Sequence, residues 1–311
     1  MSQGGYFFQK YNADGSLASS WHPWVRDGKE QIPIQEDETA LVLWALAAHF
    51  GQNPDFKFLI PSHTRFVKKA ADFLYDFRDP ETGLPQPSWD LWEERFGVHA
   101  FTVASVHGGL RGAAHMTRLL GDDELAARYE TGAAEVLAGF VRYLYHGDLG
   151  RYVRMGTRQK GGYFQDVTID SALCGLFMFD MLPLDDERLV RTIDAVEKRL
   201  WVDSEVGGVA RYENDYYHQV SKDVARIPGN PWFVSTLWLA EWHARRAKTK
   251  SDLEPALRYL EWAKAHARPS GVMAEQVDPT TGSPISVAPL TWSHAAYVSA
   301  CLTVVGRLAL L

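Results

Sequence analysis

Two adjacent carboxylates, Glu93 and Glu94, follow two indoles and a third acid, Asp90, in Ser88-Trp89-Asp90-Leu91-Trp92-Glu93-Glu94-Arg95. Far along the chain, Met273-Ala274-Glu275-Gln276-Val277-Asp278 offers a lone carboxylate in a Gly- and Pro-rich stretch. Cleaving an acetal needs one carboxylic acid to protonate the departing oxygen. It also needs one carboxylate on the opposite face to raise a nucleophile. Indole rings cover the C–H face of a sugar while its hydroxyls find polar groups. Glu93 therefore reads as an acid and Glu275 as a base. Packing against Trp92 or Trp89 and the nearby charge of Glu94 would both favour a protonated Glu93.

Each assignment has a plainer counterpart. Glu93 and Glu94 could be first-turn acids that favour the positive end of the following helix. Glu275 could be a solvated loop acid. Arg211 with Glu213 and Asp215 could be a structural ion-pair cluster, and Trp232 and Trp292 plain core aromatics. Asp37 and Asp170 read as helix caps first and pocket residues second.

Other chemistry finds little support. There is no His-Glu-x-x-His helix and no Cys/His zinc spacing, so no metal is expected. No Gly-x-Ser-x-Gly elbow is present. Gly156-Thr157-Arg158-Gln159-Lys160-Gly161-Gly162 lacks the Lys-Ser/Thr of a phosphate loop and reads as a turn. His22, His107, His115 and His294 are scattered, as packed or surface histidines would be. No cofactor is implied, because acid–base chemistry suffices.

The elements that would position these groups follow a pattern. The N-terminal region to residue 34 reads as loop or short strands: Gly4–Tyr11 could pair as β, Asn12–Ser16 is a turn, and Trp21-His22-Pro23-Trp24 is too Pro-bound for a helix. Then helices alternate. Segments 36–50, 97–119, 168–182, 231–246 and 292–310 are apolar nearly all round, as buried helices are. Segments 61–77, 122–146, 185–201 and 251–267 are apolar on one face only. A short polar motif precedes each buried segment. About nine helices in inner and outer pairs predict an all-α toroid, an inner ring wrapped by an outer one. Loops entering the inner helices would gather at one end and bring Glu93 and Glu275 together. No linker or low-complexity segment interrupts residues 1–311, which read as one domain.

Composition sets the surroundings. The 311 residues carry a formal net charge of −7, which argues against nucleic-acid or anionic-membrane partners. No run of 18 uncharged apolar residues suggests a membrane span, and the first residues lack the pattern of a secretion signal. Cys174 and Cys301 lie in apolar runs and read as buried free thiols of a cytoplasmic protein.

The loop motifs resemble those of glycoside hydrolase family 15, the glucoamylase family. The likeness runs through Gly5-Tyr6-Phe7-Phe8-Gln9-Lys10-Tyr11, Pro33-Ile34-Gln35-Glu36-Asp37-Glu38-Thr39-Ala40 and Asp90-Leu91-Trp92-Glu93-Glu94. It continues through Ala210-Arg211-Tyr212-Glu213-Asn214-Asp215, Gly229-Asn230-Pro231-Trp232-Phe233, Ala274-Glu275-Gln276 and Leu290-Thr291-Trp292-Ser293. Any one motif is weak; seven in the family's order are specific. The resemblance implies an (α/α)6 barrel and inverting hydrolysis of α-glucoside oligosaccharides from the non-reducing end. By motif position Glu93 matches the general acid and Glu275 the general base. Glu94 falls on a substrate-binding carboxylate, and Arg211 on the guanidinium that holds sugar hydroxyls. Asp90, Trp92, Trp232 and Trp292 fall on residues that line or support the sugar pocket.

One departure from the family pattern has consequences. The family's Trp-x-Arg-Asp motif, which grips the terminal glucose, is not found at its place; Trp24-Val25-Arg26-Asp27 has the letters but the wrong position in the motif order. The bacterial members' leading β-sandwich has no counterpart either. The match corresponds to the last three-quarters of a catalytic domain, with about nine of twelve helices. An open ring would expose apolar flanks of inner helices and favour self-association. The same loops could serve a trehalase or a glucodextranase-type hydrolase, or persist in an inactive sugar-binding remnant. A sugar epimerase built on the same barrel would instead use central histidines.

Overall fold

The computed structural model describes residues 1–20, 22–160 and 162–311. Trp21, in the Pro-bound stretch, and Gly161, in the expected turn, lie outside the described residues. The chain divides into two compact units, Met1–Val167 with Met178–Met181, and Thr168–Phe177 with Leu182–Leu311. The all-α expectation holds in both: among the described residues the strands are short and form sheets of at most four.

The first unit is built on helices α1 (Glu36–Gln52), α2 (Phe56–Ser62), α3 (Lys68–Asp76), α4 (Ala100–Leu119) and α5 (Asp123–Tyr143). Helix α4 is buried all round from Ala100 to Leu110 and packs between α1 and α5. Its glycines make the approach to α1 possible. A Cβ on Gly109 would lie 2.8 Å from the Ala40 carbonyl oxygen, and one on Gly112 would lie 2.9 Å from the Ala47 Cβ. Asp122 caps α5 by accepting the Leu125 N–H at 3.0 Å, which satisfies one orphan donor of the first turn.

Helix α2 starts earlier than the periodicity suggested. Asp55 caps it by accepting the Lys57 N–H at 2.9 Å and the Phe58 N–H at 3.3 Å. Pro61 cannot donate to the helical ladder, and a π-helical turn, His63–Val67, follows before α3 resumes. Gly4–Lys10 forms no strand; Tyr11 bridges Leu17 around the expected turn, where the Asp14 carboxylate accepts from the Ser16 N–H at 2.9 Å. The stretch expected to be a turn at 156–162 is largely strand: Met155–Gln159 pairs antiparallel with Gly162–Asp166. Bare backbone at Gly156 admits the Tyr163 ring, which a Cβ there would overlap.

The second unit contains α6 (Gly175–Met178, its last residue assigned to the first unit), α7 (Glu187–Leu200), α8 (Phe233–Arg246), α9 (Glu254–His266) and α10 (Thr291–Leu310). Helix α8 packs against α9 and α10. Two expectations fail here. The long buried helix at 168–182 is only a 3-10 turn, Ser171–Cys174, followed by the short α6. Asp170 starts that turn by accepting the Ala172 N–H at 2.9 Å. Asp180 ends the helical stretch at φ 51°, ahead of Pro183.

Helix α10 is not buried all round. Ser293, Ala296, Ala300 and Val304 face inward, while Val298, Leu302 and Val305 lie more than half exposed. By length and mean hydropathy alone, 1.2 over 18 residues, it would pass for a membrane-crossing segment. Its inward stripe of small side chains is nevertheless packed on α8 and α9. Cys174 is buried and Cys301 half-buried, and both thiols are free.

Candidate active site

Glu93 lies on a tight loop between strands Ser88–Trp89 and Phe96–His99. The Asp90 carboxylate, almost fully buried, closes that loop. It accepts the Glu94 N–H at 2.7 Å and the Arg95 N–H at 2.8 Å. Backbone bonds add the Asp90 N–H to the Arg95 carbonyl and the Glu93 N–H to the Asp90 carbonyl, both at 2.9 Å. His99, its imidazole held neutral by burial with a pKa pushed down to about 3, donates Nε2–H to the Arg95 carbonyl at 3.1 Å. Arg95 in turn bonds the Glu94 carboxylate at 2.9 Å. This clasp holds Glu93 at φ 64°, in the left-handed region that costs a side-chain-bearing residue about 1–2 kcal/mol.

The loop is stitched to the entry of α1. Gln35 Nε2–H donates to the Asp90 carbonyl at 2.9 Å, and the Trp89 N–H to the Ile34 carbonyl at 3.1 Å. His22 stacks on Trp89 with centroids 4.6 Å apart. Trp92, on the loop itself, is buried.

The first turn of α1 brings three more carboxyls. Asp37 was expected to be a cap; instead Gln35 occupies the cap position without a side-chain bond. Asp37 is buried inside the first turn and accepts the Thr102 hydroxyl at 3.1 Å. Burial raises its pKa to about 7. Glu38 is raised to about 8, first by burial and then by the charges of Asp37 and Glu93. Burial likewise holds the Glu36 carboxyl well above the usual range, with Asp37 adding to it. Sequence reasoning gave Glu38 no role. Its signal was the run Glu36-Asp37-Glu38 directly ahead of an apolar helix.

The second unit gathers Arg211, Trp232 and Glu275. Arg211 is 3% exposed and forms a two-pronged pair with Asp215, Nε to Oδ2 at 2.8 Å and Nη2 to Oδ1 at 2.7 Å. Its guanidinium lies 4.8 Å from the Trp232 ring centroid and 5.1 Å from that of Tyr217. The structural ion-pair reading of Arg211 therefore holds for Asp215. Glu213 does not share it: Glu213 bonds Arg199 and the Ile169 N–H.

Glu275 sits in a short connection between backbone anchors. Its N–H donates to the Val287 carbonyl at 3.0 Å, and its carbonyl accepts the Phe233 N–H at 3.3 Å. The fully buried Gln276 donates to the Glu275 carboxylate at 3.2 Å, while its oxygen accepts the Asn230 amide at 2.8 Å. Trp232 bridges Gln276 through the backbone, so three sequence-distant motifs meet. The Asn230–Gln276–Glu275 relay was not foreseen. Trp292, at the start of α10, is 37% exposed and has its ring 5.8 Å from that of Trp238. The Ser293 hydroxyl donates to the Ala274 carbonyl at 2.7 Å, fixing the Glu275 connection to α10. Among the described residues no cluster of three metal-ligating side chains occurs.

Comparison with known proteins shows the family and the fold of the chain. A family model described as "Glycosyl hydrolases family 15" matches residues 22–254 and 244–302. An uncharacterized glycosyl hydrolase of Methanocaldococcus jannaschii is 30% identical over 298 residues, covering 92% of this chain and 44% of that protein. A glucoamylase of a Clostridium species is 28% identical over 252 residues, covering 75% of this chain and 35% of its own length. The chain thus spans less than half of either relative. Among solved structures, a bacterial glucoamylase complexed with acarbose superposes with a TM-score of 0.71 at 23% identity, over 90% of this chain and 42% of that one. That likeness bears out the fold class, an incomplete (α/α)6 arrangement of helical hairpins.

Proposed function

The chain belongs to the family 15 glycosyl hydrolases, and on that premise we propose that it releases glucose from the non-reducing ends of α-glucosides with inversion at the anomeric carbon. Glu93 protonates the glycosidic oxygen. Glu275 takes a proton from a water that attacks the anomeric carbon from the opposite face. The C–O bond to the leaving group breaks as the C–O bond to water forms, and one proton enters through Glu93 as another leaves to Glu275.

The observation that carries this reading is the posture of Glu93. A residue with a side chain is kept at φ 64° by a buried carboxylate clasp, and such strain persists where the surroundings over-determine it, often at sites of chemistry. The ion pairs of the loop go to Asp90 and Glu94, and the half-buried Glu38 is close enough to feel the Glu93 charge. For Glu275, support comes from its backbone anchors and the Gln276 amide, which orient a carboxylate without neutralising it. Glu94, salt-bridged to Arg95, has its role in substrate binding through that fixed position. Arg211 stiffens the aromatic wall formed by Trp232 and Tyr217.

Inversion requires the two carboxyls to stand ~6.5–9.5 Å apart with a water between. The test is β-glucose release from maltose, isomaltose and trehalose, followed by proton NMR in the first minutes, for the parent chain and for Glu93→Gln and Glu275→Gln. Hydrolysis that yields the β-anomer and falls by at least about 100-fold in both variants supports the assignment. A first product that lacks the β-anomer, or full activity in either variant, overturns it. The linkage cleaved fastest decides between glucoamylase-type, glucodextranase-type and trehalase-type action.

A further inference from the structure

The second unit carries another aromatic groove, lined by residues of α7 and α9 and the residue that follows α7. Its walls are Glu197, Lys198, Trp201, Arg258, Tyr259 and Trp262, enclosing about 500 Å³. That volume lies within the range of small-ligand sites. Trp201, the residue just past the end of α7, is 42% exposed. It makes an edge contact with Tyr259 at 6.1 Å. The Trp262 Nε1–H donates to the Val206 carbonyl at 2.8 Å.

Both indoles rest on the turn that follows Val206. Gly207 and Gly208 have φ of 65° and 88°, and neither has room for a side chain. A Cβ on Gly207 would lie 2.8 Å from the Trp201 Cζ2, and one on Gly208 would lie 2.5 Å from the Trp262 Cζ2. The rings are thereby fixed by backbone and lose little freedom when a ligand lands on them. Tyr259 is fixed too, its hydroxyl donating to Glu197, which also pairs with His243. Lys198 and Arg258 add N–H donors at the rim.

The geometry points to a second carbohydrate-binding site, an aromatic platform for the internal residues of an α-glucan chain. Rigid indole faces suit the C–H faces of successive glucose rings, and the rim donors suit their hydroxyls. The choice of an α-glucan as ligand rests on the proposed function; the existence of the platform does not. Its use would be to hold a long substrate while the catalytic carboxylates work on an end, raising local concentration as a linked site does.

β-Cyclodextrin tests this directly, because a ring of glucose has no non-reducing end for the catalytic carboxylates. Calorimetric titration of the parent chain is expected to give saturable binding with Kd on the order of 1 mM or tighter. Trp201→Ala should weaken it about tenfold, the worth of one stacking ring. Lys198→Ala with Arg258→Ala, which leaves the rings in place, should weaken it less. Maltose hydrolysis should be unchanged in both variants, and matching thermal unfolding curves check that they are folded. Absence of cyclodextrin binding in the parent, or equal binding by a folded Trp201→Ala, overturns the platform. A parent chain that binds cyclodextrin through Trp201 but hydrolyses nothing upholds the platform and sinks the hydrolase reading alone.

Discussion

The Asp90 carboxylate receives the backbone N–H groups of Glu94 and Arg95 through a single oxygen, at 2.7 and 2.8 Å. Burial lifts its pKa while those two donors and the Arg95 charge oppose the rise. Asp90→Ala is expected to cost about 3 kcal/mol of stability, from the loss of two charge-assisted bonds and the orphaning of two donors. Urea unfolding measures it. The Glu93 loop would relax as well, so kcat should fall by about 100-fold with a smaller change in KM. A fall in KM alone would contradict this positioning role.

Gln276 joins Asn230 to Glu275. Gln276→Ala leaves the Glu275 carboxylate free to rotate away from the attacking water. We expect a kcat lowered about tenfold at nearly constant KM. Asn230→Ala, one bond further out, should show a smaller loss of the same kind. Steady-state kinetics on maltose distinguishes the two.

Asp215 is a buried partner of Arg211. Asp215→Ala removes a buried, two-pronged carboxylate from the Arg211 guanidinium and is expected to destabilise the chain by about 3 kcal/mol. Arg211→Met with Asp215→Leu removes both charges together and should cost distinctly less. Comparing urea midpoints of the single and double variants checks the sign of the difference.

Asp37 and Glu38 set a pH dependence of stability. Their folded pKa values, about 7 and about 8, exceed the ordinary 3.8 and 4.5. Across the interval from the ordinary to the raised values the folded chain binds more protons than the unfolded chain. Stability from these groups is therefore greatest at the acid end, declines as pH rises through the window, and levels off above about pH 8. Urea midpoints at several pH values should show the decline, and Glu38→Gln should flatten it.

The reach of sequence reasoning differs from element to element. Helix α4 was legible because Phe101, Val103, Ala104, Val106 and Leu110 leave no polar face. Helix α5 was legible because Asp122 marks its start and apolar residues repeat on one side. The segment after Asp170 misled: its apolar run Leu173–Phe179 promised a long helix, but apolar content reports burial, and the chain turns at Asp180 regardless. In the candidate site, Glu93 and Glu275 could be named because their neighbours form motifs. Glu38 and the Asn230–Gln276 link could not, since their roles come from who meets whom across tens of residues. Asp37 was misread as a cap because an acid ahead of an apolar helix fits both a cap and a buried carboxyl.

The outward stripe of α10, Val298, Leu302 and Val305, has a practical meaning at the bench. Excluded salts such as ammonium sulfate penalise each square ångström of wetted hydrocarbon, so this chain should come out of solution early in a salting-out series. Exchanging Leu302 and Val305 for glutamates would push that threshold upward, and the shift would gauge how much of it this stripe sets.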